Sequence, residues 1–164
     1  MQPFVTYYRS PIGHLRISGN RNCIHEICFA DNTDQFIPET NDLPELAIQC
    51  TEELIQYFQG SRRKFDFAVS QPGTEFQQRV WNELINIPFG KRVSYLDLAR
   101  RLGDPNCIRA AASANGKNKL AIVIPCHRVV GSKNDLVGYM AGVWRKRWLL
   151  DLETRVTYGV QTLF

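Results

Sequence analysis

No stretch of this chain approaches the apolar length needed to cross a membrane, which takes about 20 residues in a helix. A membrane role is therefore not expected. The start, Met1-Gln2-Pro3-Phe4, has neither a basic n-region nor an apolar core, so export is not expected either. Metal-type cysteine spacing is also missing. The five cysteines, Cys23, Cys28, Cys50, Cys107 and Cys126, form an odd set without a close pair. That fits free thiols in a reducing compartment, the cytoplasm or, in a eukaryote, the nucleus. No cofactor is expected.

What is present is a globular composition over 164 residues, enough for one core or for two small ones. The net charge of +4 is unremarkable, but its distribution is uneven. Residues 1–73 hold six basic and nine acidic side chains, whereas residues 74–153 hold thirteen and seven. A basic excess confined to one half suits a polyanion, with nucleic acid the first candidate. A solvated basic face without a partner is the competing reading.

The first half reads as strands, then a helix. Phe4–Tyr8, His14–Ser18 and Cys23–Phe29 are β-prone or alternating, separated by Ser10-Pro11-Ile12-Gly13 and Gly19-Asn20-Arg21-Asn22, which predicts a three-stranded antiparallel meander. Residues 31–42 read as loop. Ala47, Cys50, Leu54, Tyr57 and Phe58 recur at helical spacing up to Gly60, making Cys50 a core thiol. Phe65–Val69 can return as a strand, and Gln71-Pro72-Gly73 marks a boundary between domains 1–72 and 73–164.

The second half reads as helices. Thr74 and Gln77 form a capping-box pattern ahead of Phe76, Val80, Trp81 and Leu84, an amphipathic helix with Trp81 in the core. After Pro88-Phe89-Gly90-Lys91, Ser94 opens a helix with Asp97 in capping position. Gly103 ends it, and Asp104-Pro105 starts another with Arg109-Ala110-Ala111-Ala112-Ser113-Ala114. Helix, tight turn, helix is the arrangement of a helix-turn-helix. The second helix lacks the crowd of Asn, Gln and Arg that reads base edges. It offers close backbone approach and one long cation, Arg109, which as a surface residue can equally hold a phosphate or a salt bridge. Farther on, Trp144, Trp148 and Leu152 recur at helical spacing, Glu153 lies at the edge of that face, and residues 154–164 carry only a β-prone tail.

Between the two regions lies Ala121-Ile122-Val123-Ile124-Pro125-Cys126-His127-Arg128-Val129-Val130. Four apolar residues before a proline predict a short buried strand that ends at Cys126. A thiol beside an imidazole suits an activated nucleophile, although free cysteine is also common core filling. Glu153, a carboxylate on the edge of an apolar helix face, needs a partner, and His127 is a natural one.

Pro125-Cys126-His127-Arg128-Val129 resembles the acceptor motif of the O6-alkylguanine-DNA alkyltransferases. The likeness continues through Thr74–Gln77, Val80-Trp81, Ser94-Tyr95, Leu98-Ala99, Arg109-Ala110, Asn118, Leu149-Leu150 and Glu153. The resemblance implies an α/β (α+β) chain: a ribonuclease H-like N-terminal domain with a three-stranded sheet and helix, and a mostly helical C-terminal domain resembling a winged helix-turn-helix. It implies one-time transfer of an alkyl group from O6-alkylguanine, and also O4-alkylthymine, in double-stranded DNA to Cys126, by a monomer. It assigns His127 as base, Glu153 as the carboxylate orienting it, Tyr95 as proton donor and Asn118 as brace of the acceptor segment. Arg109 would fill the gap left by the extruded nucleotide. Ala110, Ser94, Asp104, Arg128 and Ser132 would contact DNA, with Asp104 compatible with a phosphate only if it is used as a helix cap. Tyr139, Met140 and Ala141 would wall the base pocket. Some relatives hold a structural zinc, but only His25 falls on a ligand position, Met1 and Asn20 standing where those relatives have cysteine, so no metal is expected. A non-catalytic binder of alkylated DNA with the same fold is the alternative, which the presence of Cys126 disfavours.

Overall fold

The computed structural model describes residues 2–31 and 37–159. Part of the expected 31–42 loop, the end of the 154–164 tail, and Met1, weighed above as a metal-ligand position, lie outside the described residues, and residues 154–158 of that tail, expected as β-prone, are helical. The chain forms two compact units, Met1–Pro72 and Gly73–Phe164. No helix among the described residues is long and apolar enough to cross a membrane.

In the first unit, β1 (Phe4–Ser10), β2 (Gly13–Gly19) and β3 (Ile24–Phe29) form an antiparallel meander in sequence order. Phe4, Leu15, Ile17, Ile24 and Ile27 lie in the core, where α1 (Glu45–Phe58) contributes Ala47, Cys50, Leu54, Tyr57 and Phe58. Register shifts between Ser18 and Gly19, so that Ile17 faces Ile27 while Gly19 faces Ile24. The strand expected over Phe65–Val69 does not form. Val69 makes an isolated bridge to Ile24, and Phe65 and Phe67 instead join a ring cluster with Tyr57. Glu53 fastens this segment to α1, accepting from the Asp66 backbone N–H at 2.8 Å and from Gln49 Nε2 at 2.7 Å.

The second unit begins with α2 (Glu75–Ile85), whose capping box between Thr74 and Gln77 is complete. Val80, Trp81 and Leu84 are buried, and Trp81 Nε1 donates to the carbonyl of Ala114 at 2.9 Å. Next come β4 (Val93–Ser94) and α3 (Tyr95–Arg101), the latter closed by a capping box between Ser94 and Asp97. The Asp104 carboxylate caps a 3-10 turn over Pro105–Cys107 by accepting from Asn106 N, and α4 (Ile108–Gly116) follows. Small residues let α4 lie close to α2 and α3, with Ala111 and Ala114 buried.

The apolar run Ala121–Ile124 buries Ile122 and Ile124 but is not a strand. Val123 N–H donates to the carbonyl of Ala121 at 2.8 Å and Ile124 N–H to that of Leu120 at 2.9 Å, while Ile122 takes φ +72°, uncommon and strained for a β-branched residue. The Asn118 amide supplies the missing partners, donating to Ile124 O at 2.8 Å and accepting from Leu120 N at 3.1 Å. A buried apolar run has no periodicity to separate strand from compact turn. Cys126–Arg128 is a 3-10 turn, and the extended residues follow it as β5 (Val129–Val130), parallel to β4. The segment Ser132–Asn134 turns through left-handed Lys133 and Asn134, and α5 (Val143–Tyr158) closes the unit.

Gly90 sits in the left-handed region at φ +83°, and a Cβ there would collide with the Thr157 side chain on α5. Gly90→Ala is therefore expected to cost about 1–3 kcal/mol from backbone strain and crowding, read as a lower urea midpoint. An unchanged midpoint would show that the turn relaxes freely.

Candidate functional site

Cys126 lies at the start of the 3-10 turn, 7 % exposed. His127 and Glu153 are completely dry, at 0 % and 1 %, and His127 Nε2 meets Glu153 Oε2 at 2.7 Å. The carboxylate has further partners. Arg128 donates from Nε to Oε1 at 2.8 Å and from Nη2 to Oε2 at 3.1 Å, and the Gly90 backbone N–H donates to Oε1 at 3.1 Å. Arg128 Nη1 reaches the carbonyl of Ile87 at 2.7 Å, with the guanidinium over the Phe89 ring. A guanidinium so committed, on a residue 6 % exposed, is not offered to a phosphate. Arg128 is a structural cation of the site, not the DNA contact read from the sequence.

Charge states follow from burial and partners. Burial works to raise the Glu153 carboxyl, but His127 and Arg128 overrule it and hold it well below the usual carboxylate range. Burial pushes the His127 imidazole down, with Arg128 and Lys146 adding to the effect and Glu153 opposing it. The resting imidazole is therefore neutral, and Arg128, which stays charged at any working pH, is what keeps Glu153 ionised. Burial also raises the Cys126 thiol, while Asn118, the Lys146 charge and the backbone N–H groups of Cys126 and His127 pull it back. The sulfur is not a standing thiolate at rest. His127 Nδ1 is buried without a hydrogen-bond partner among the described residues, so the thiol and imidazole are not directly bonded.

Lys146 is the residue the sequence reading missed. It is fully buried in α5, donates from Nζ to the carbonyls of Val137 at 2.9 Å and Gly138 at 3.2 Å, and lies 5.7 Å from the Tyr95 ring centroid. Burial lowers its pKa to about 8, opposed by Cys126. Its sequence signal was weak, one cation in the run Arg145-Lys146-Arg147. The expected apolar stripe through Trp144 is corrected accordingly. Trp144 is 56 % exposed with Arg145 against its ring, and the buried face of α5 carries Arg145, Lys146 and Glu153 beside Leu149, Leu150 and Leu152.

Tyr95 opens α3 half-buried, its hydroxyl 3.4 Å from the carbonyl of Val137. Burial and the nearby Cys126 raise its pKa against an opposing bond from Asn115, so it stays a phenol. The Tyr139 hydroxyl is buried without a partner among the described residues, its pKa raised by burial and then by Cys126. Ala141 is half-buried, but Met140, expected in the pocket wall, is 77 % exposed and packs into none. Arg109, Ala110, Asp104 and Ser132 are exposed and Ser94 is half-buried. Asp104 and Ser94 spend their side chains as helix caps. Among the described residues no cluster of His, Cys, Asp or Glu could hold a metal.

Comparison with known proteins comes from three directions. Residues 75–155 match the model of the 6-O-methylguanine DNA methyltransferase DNA-binding domain, and residues 4–71 that of its ribonuclease-like domain. The methylated-DNA--protein-cysteine methyltransferase of Mycobacterium leprae is 38 % identical over 160 residues, covering 94 % of each chain. The constitutive enzyme of that name from Bacillus subtilis is 36 % identical over 162 residues, covering 94 % of this chain and 97 % of its own. The crystal structure of Mycobacterium tuberculosis O6-methylguanine methyltransferase superposes with TM-score 0.83 at 38 % identity over 93 % of both chains. A structure of the Mycobacterium tuberculosis protein in complex with DNA matches equally, at TM-score 0.83 and 37 % identity over 92 % of both chains.

Two outcomes are expected from the geometry. Lys146→Met should move the pH profile of Cys126 alkylation by iodoacetamide upward, with reactivity at pH 7 falling about tenfold per unit of thiol pKa rise. Lys146→Arg should recover much of it, and an unshifted profile would remove the lysine charge from the site. Acid should destabilise the second unit in two stages. Below about pH 6.5 the unfolded imidazole takes up a proton that buried His127 refuses. Stability from the depressed Glu153 carboxyl, fully present above its unfolded value, is then lost as pH falls through the folded one. Urea midpoints from pH 7.5 downward test this, and Glu153→Gln should remove the second stage.

Proposed function

The chain belongs to the 6-O-methylguanine-DNA methyltransferase family, and on that premise we propose that Cys126 is the sulfur that takes the alkyl group from O6-alkylguanine, once per molecule. The activity is that of a methylated-DNA–protein-cysteine methyltransferase, direct-reversal repair with DNA as the partner. The observation that carries the residue assignment is that His127 and Arg128, directly after a buried thiol in sequence, meet Glu153 in one dry cluster.

The reaction is a displacement at carbon. The Cys126 thiol gives its proton through a bridging water to His127 Nδ1, and the charged Glu153 stabilises the imidazolium that forms. The sulfur attacks the alkyl carbon, the carbon–O6 bond breaks with its electron pair going to the purine, and the Tyr95 phenol supplies the proton the purine needs. The phenolate is reprotonated through solvent by the proton His127 took, so the thiol proton ends on the purine. General-acid help of this kind is typically about 10²–10⁴-fold. The thioether is stable and nothing in the site would cleave it, so each molecule reacts once.

A stacked base is out of reach of a buried sulfur, so the nucleotide must leave the helix at a cost of a few kcal/mol. The exposed Arg109 on small-residue α4 suits a wedge inserted from the minor groove, with Ala110, Ser94, Asp104 and Ser132 on the same duplex and Tyr139 and Ala141 against the base. Asn118 braces the acceptor turn. The protein acts as a cytoplasmic monomer, nuclear if its source is eukaryotic, and accepts O4-alkylthymine as well.

Incubation with duplex DNA bearing O6-methylguanine should add one methyl mass to the Cys126 peptide, stoichiometrically, and Cys126→Ala should abolish the gain. Tight lesion binding with no mass change would favour the non-catalytic binder instead.

A further inference from the structure

Asn115 occupies the last turn of α4, 5 % exposed. Its Nδ2 donates to the carbonyl of Cys126 at 3.4 Å, and its amide lies near enough to the Tyr95 hydroxyl to favour the ionised phenol. The Cys126 carbonyl can only accept, so the nitrogen must face it and the amide cannot be flipped without setting two oxygens against each other. That leaves Asn115 Oδ1, which is buried without a hydrogen-bond partner among the described residues. A buried acceptor of this kind is costly until something donates to it. It stands beside the backbone of the reactive cysteine and the hydroxyl assigned to protonate the base.

Alkylation at O6 fixes guanine in a form whose N1 carries no hydrogen. The exocyclic 2-amino group is then the base's remaining N–H donor. O4-alkylthymine, with its N3 likewise stripped, has none. We propose that Asn115 is a specificity-determining residue whose Oδ1 accepts a hydrogen bond from the 2-amino group of the extruded O6-alkylguanine. The proposal rests on the alkyl-transfer reading above and deepens it: the free carbonyl oxygen selects the purine lesion over the pyrimidine one. A site with a buried group awaiting a donor discriminates strongly against an analogue that lacks it.

The test compares methyl transfer to Cys126 from duplexes carrying O6-methylguanine and O6-methylhypoxanthine, which differ only by the 2-amino group. Wild-type protein should react about tenfold faster with the guanine lesion, the factor expected of one buried hydrogen bond. Asn115→Leu, similar in size but without an acceptor, should bring the two rates together. Asn115→Asp, which keeps acceptor oxygens and loses the donor to the Cys126 carbonyl, should be slower on both while retaining the preference. Equal wild-type rates on the two duplexes would overturn the inference and leave the alkyl-transfer reading intact. An unchanged preference in Asn115→Leu, checked for folding by its tryptophan emission, would likewise reduce Asn115 to holding the cysteine backbone. Absence of methyl on Cys126 from either duplex would overturn both readings.

Discussion

The second unit is built around one carboxylate. Glu153 accepts from the Gly90 backbone, from His127, and twice from Arg128, so a single buried group ties α5 to the turn after α2 and to the 3-10 turn carrying Cys126. A buried ion pair need not add stability, because the desolvation of both charges offsets their attraction, whereas removing one partner strands the other at about 3–5 kcal/mol. What such a cluster supplies is a single geometry. With Arg128 as the permanent counter-charge, Glu153 is ionised before any reaction begins, and the imidazole against it is held neutral and oriented by the same carboxylate.

That arrangement is compatible with a sulfur that rests protonated yet serves in the transfer proposed for it. A standing thiolate in a dry site would be exposed to every small oxidant and electrophile, and its charge would have to be solvated by dipoles alone. Here burial raises the thiol, while Asn118, the Lys146 charge and the backbone N–H groups of Cys126 and His127 oppose that rise. Lys146 has a second attachment through the carbonyls of Val137 and Gly138. The cation that favours the thiolate is thereby bonded to the loop leading to Tyr139.

Much of this was legible in the sequence where a local rule governs. Both capping boxes, the Asp104 cap, the meander and the helical spacing of α1 follow from short-range chemistry that the fold leaves undisturbed. The pairing of Glu153 with His127 was legible because a carboxylate on an apolar face has to find a donor. The failures share one cause, which is side chains taking over work the backbone was expected to do. Asn118 satisfies the carbonyls that a strand partner would have met, so Ala121–Ile124 turns instead of extending. Rings, not a ladder, hold Phe65 and Phe67. Arg128 and Lys146 look like surface cations in a basic sequence, and only tertiary structure shows that their partners are a buried carboxylate and two loop carbonyls.

The same substitution of side chain for backbone bears on how DNA and sulfur communicate. Helix α4 carries exposed Arg109 near its start. Near its end, Ala114 accepts from Trp81 and Asn115 donates to the carbonyl of Cys126, with Asn118 immediately beyond. On the proposed reading, a duplex pressing on the start of this short helix acts on the same rigid element that ends beside the cysteine. That end carries the Asn115 amide, bonded to the Cys126 carbonyl, and is followed by Asn118, bonded to the carbonyl of Ile124. In a close-packed interior the neighbours cannot yield independently. With Arg109 as the proposed wedge and Cys126 as the proposed acceptor, engagement of the one and alignment of the other are linked through α4.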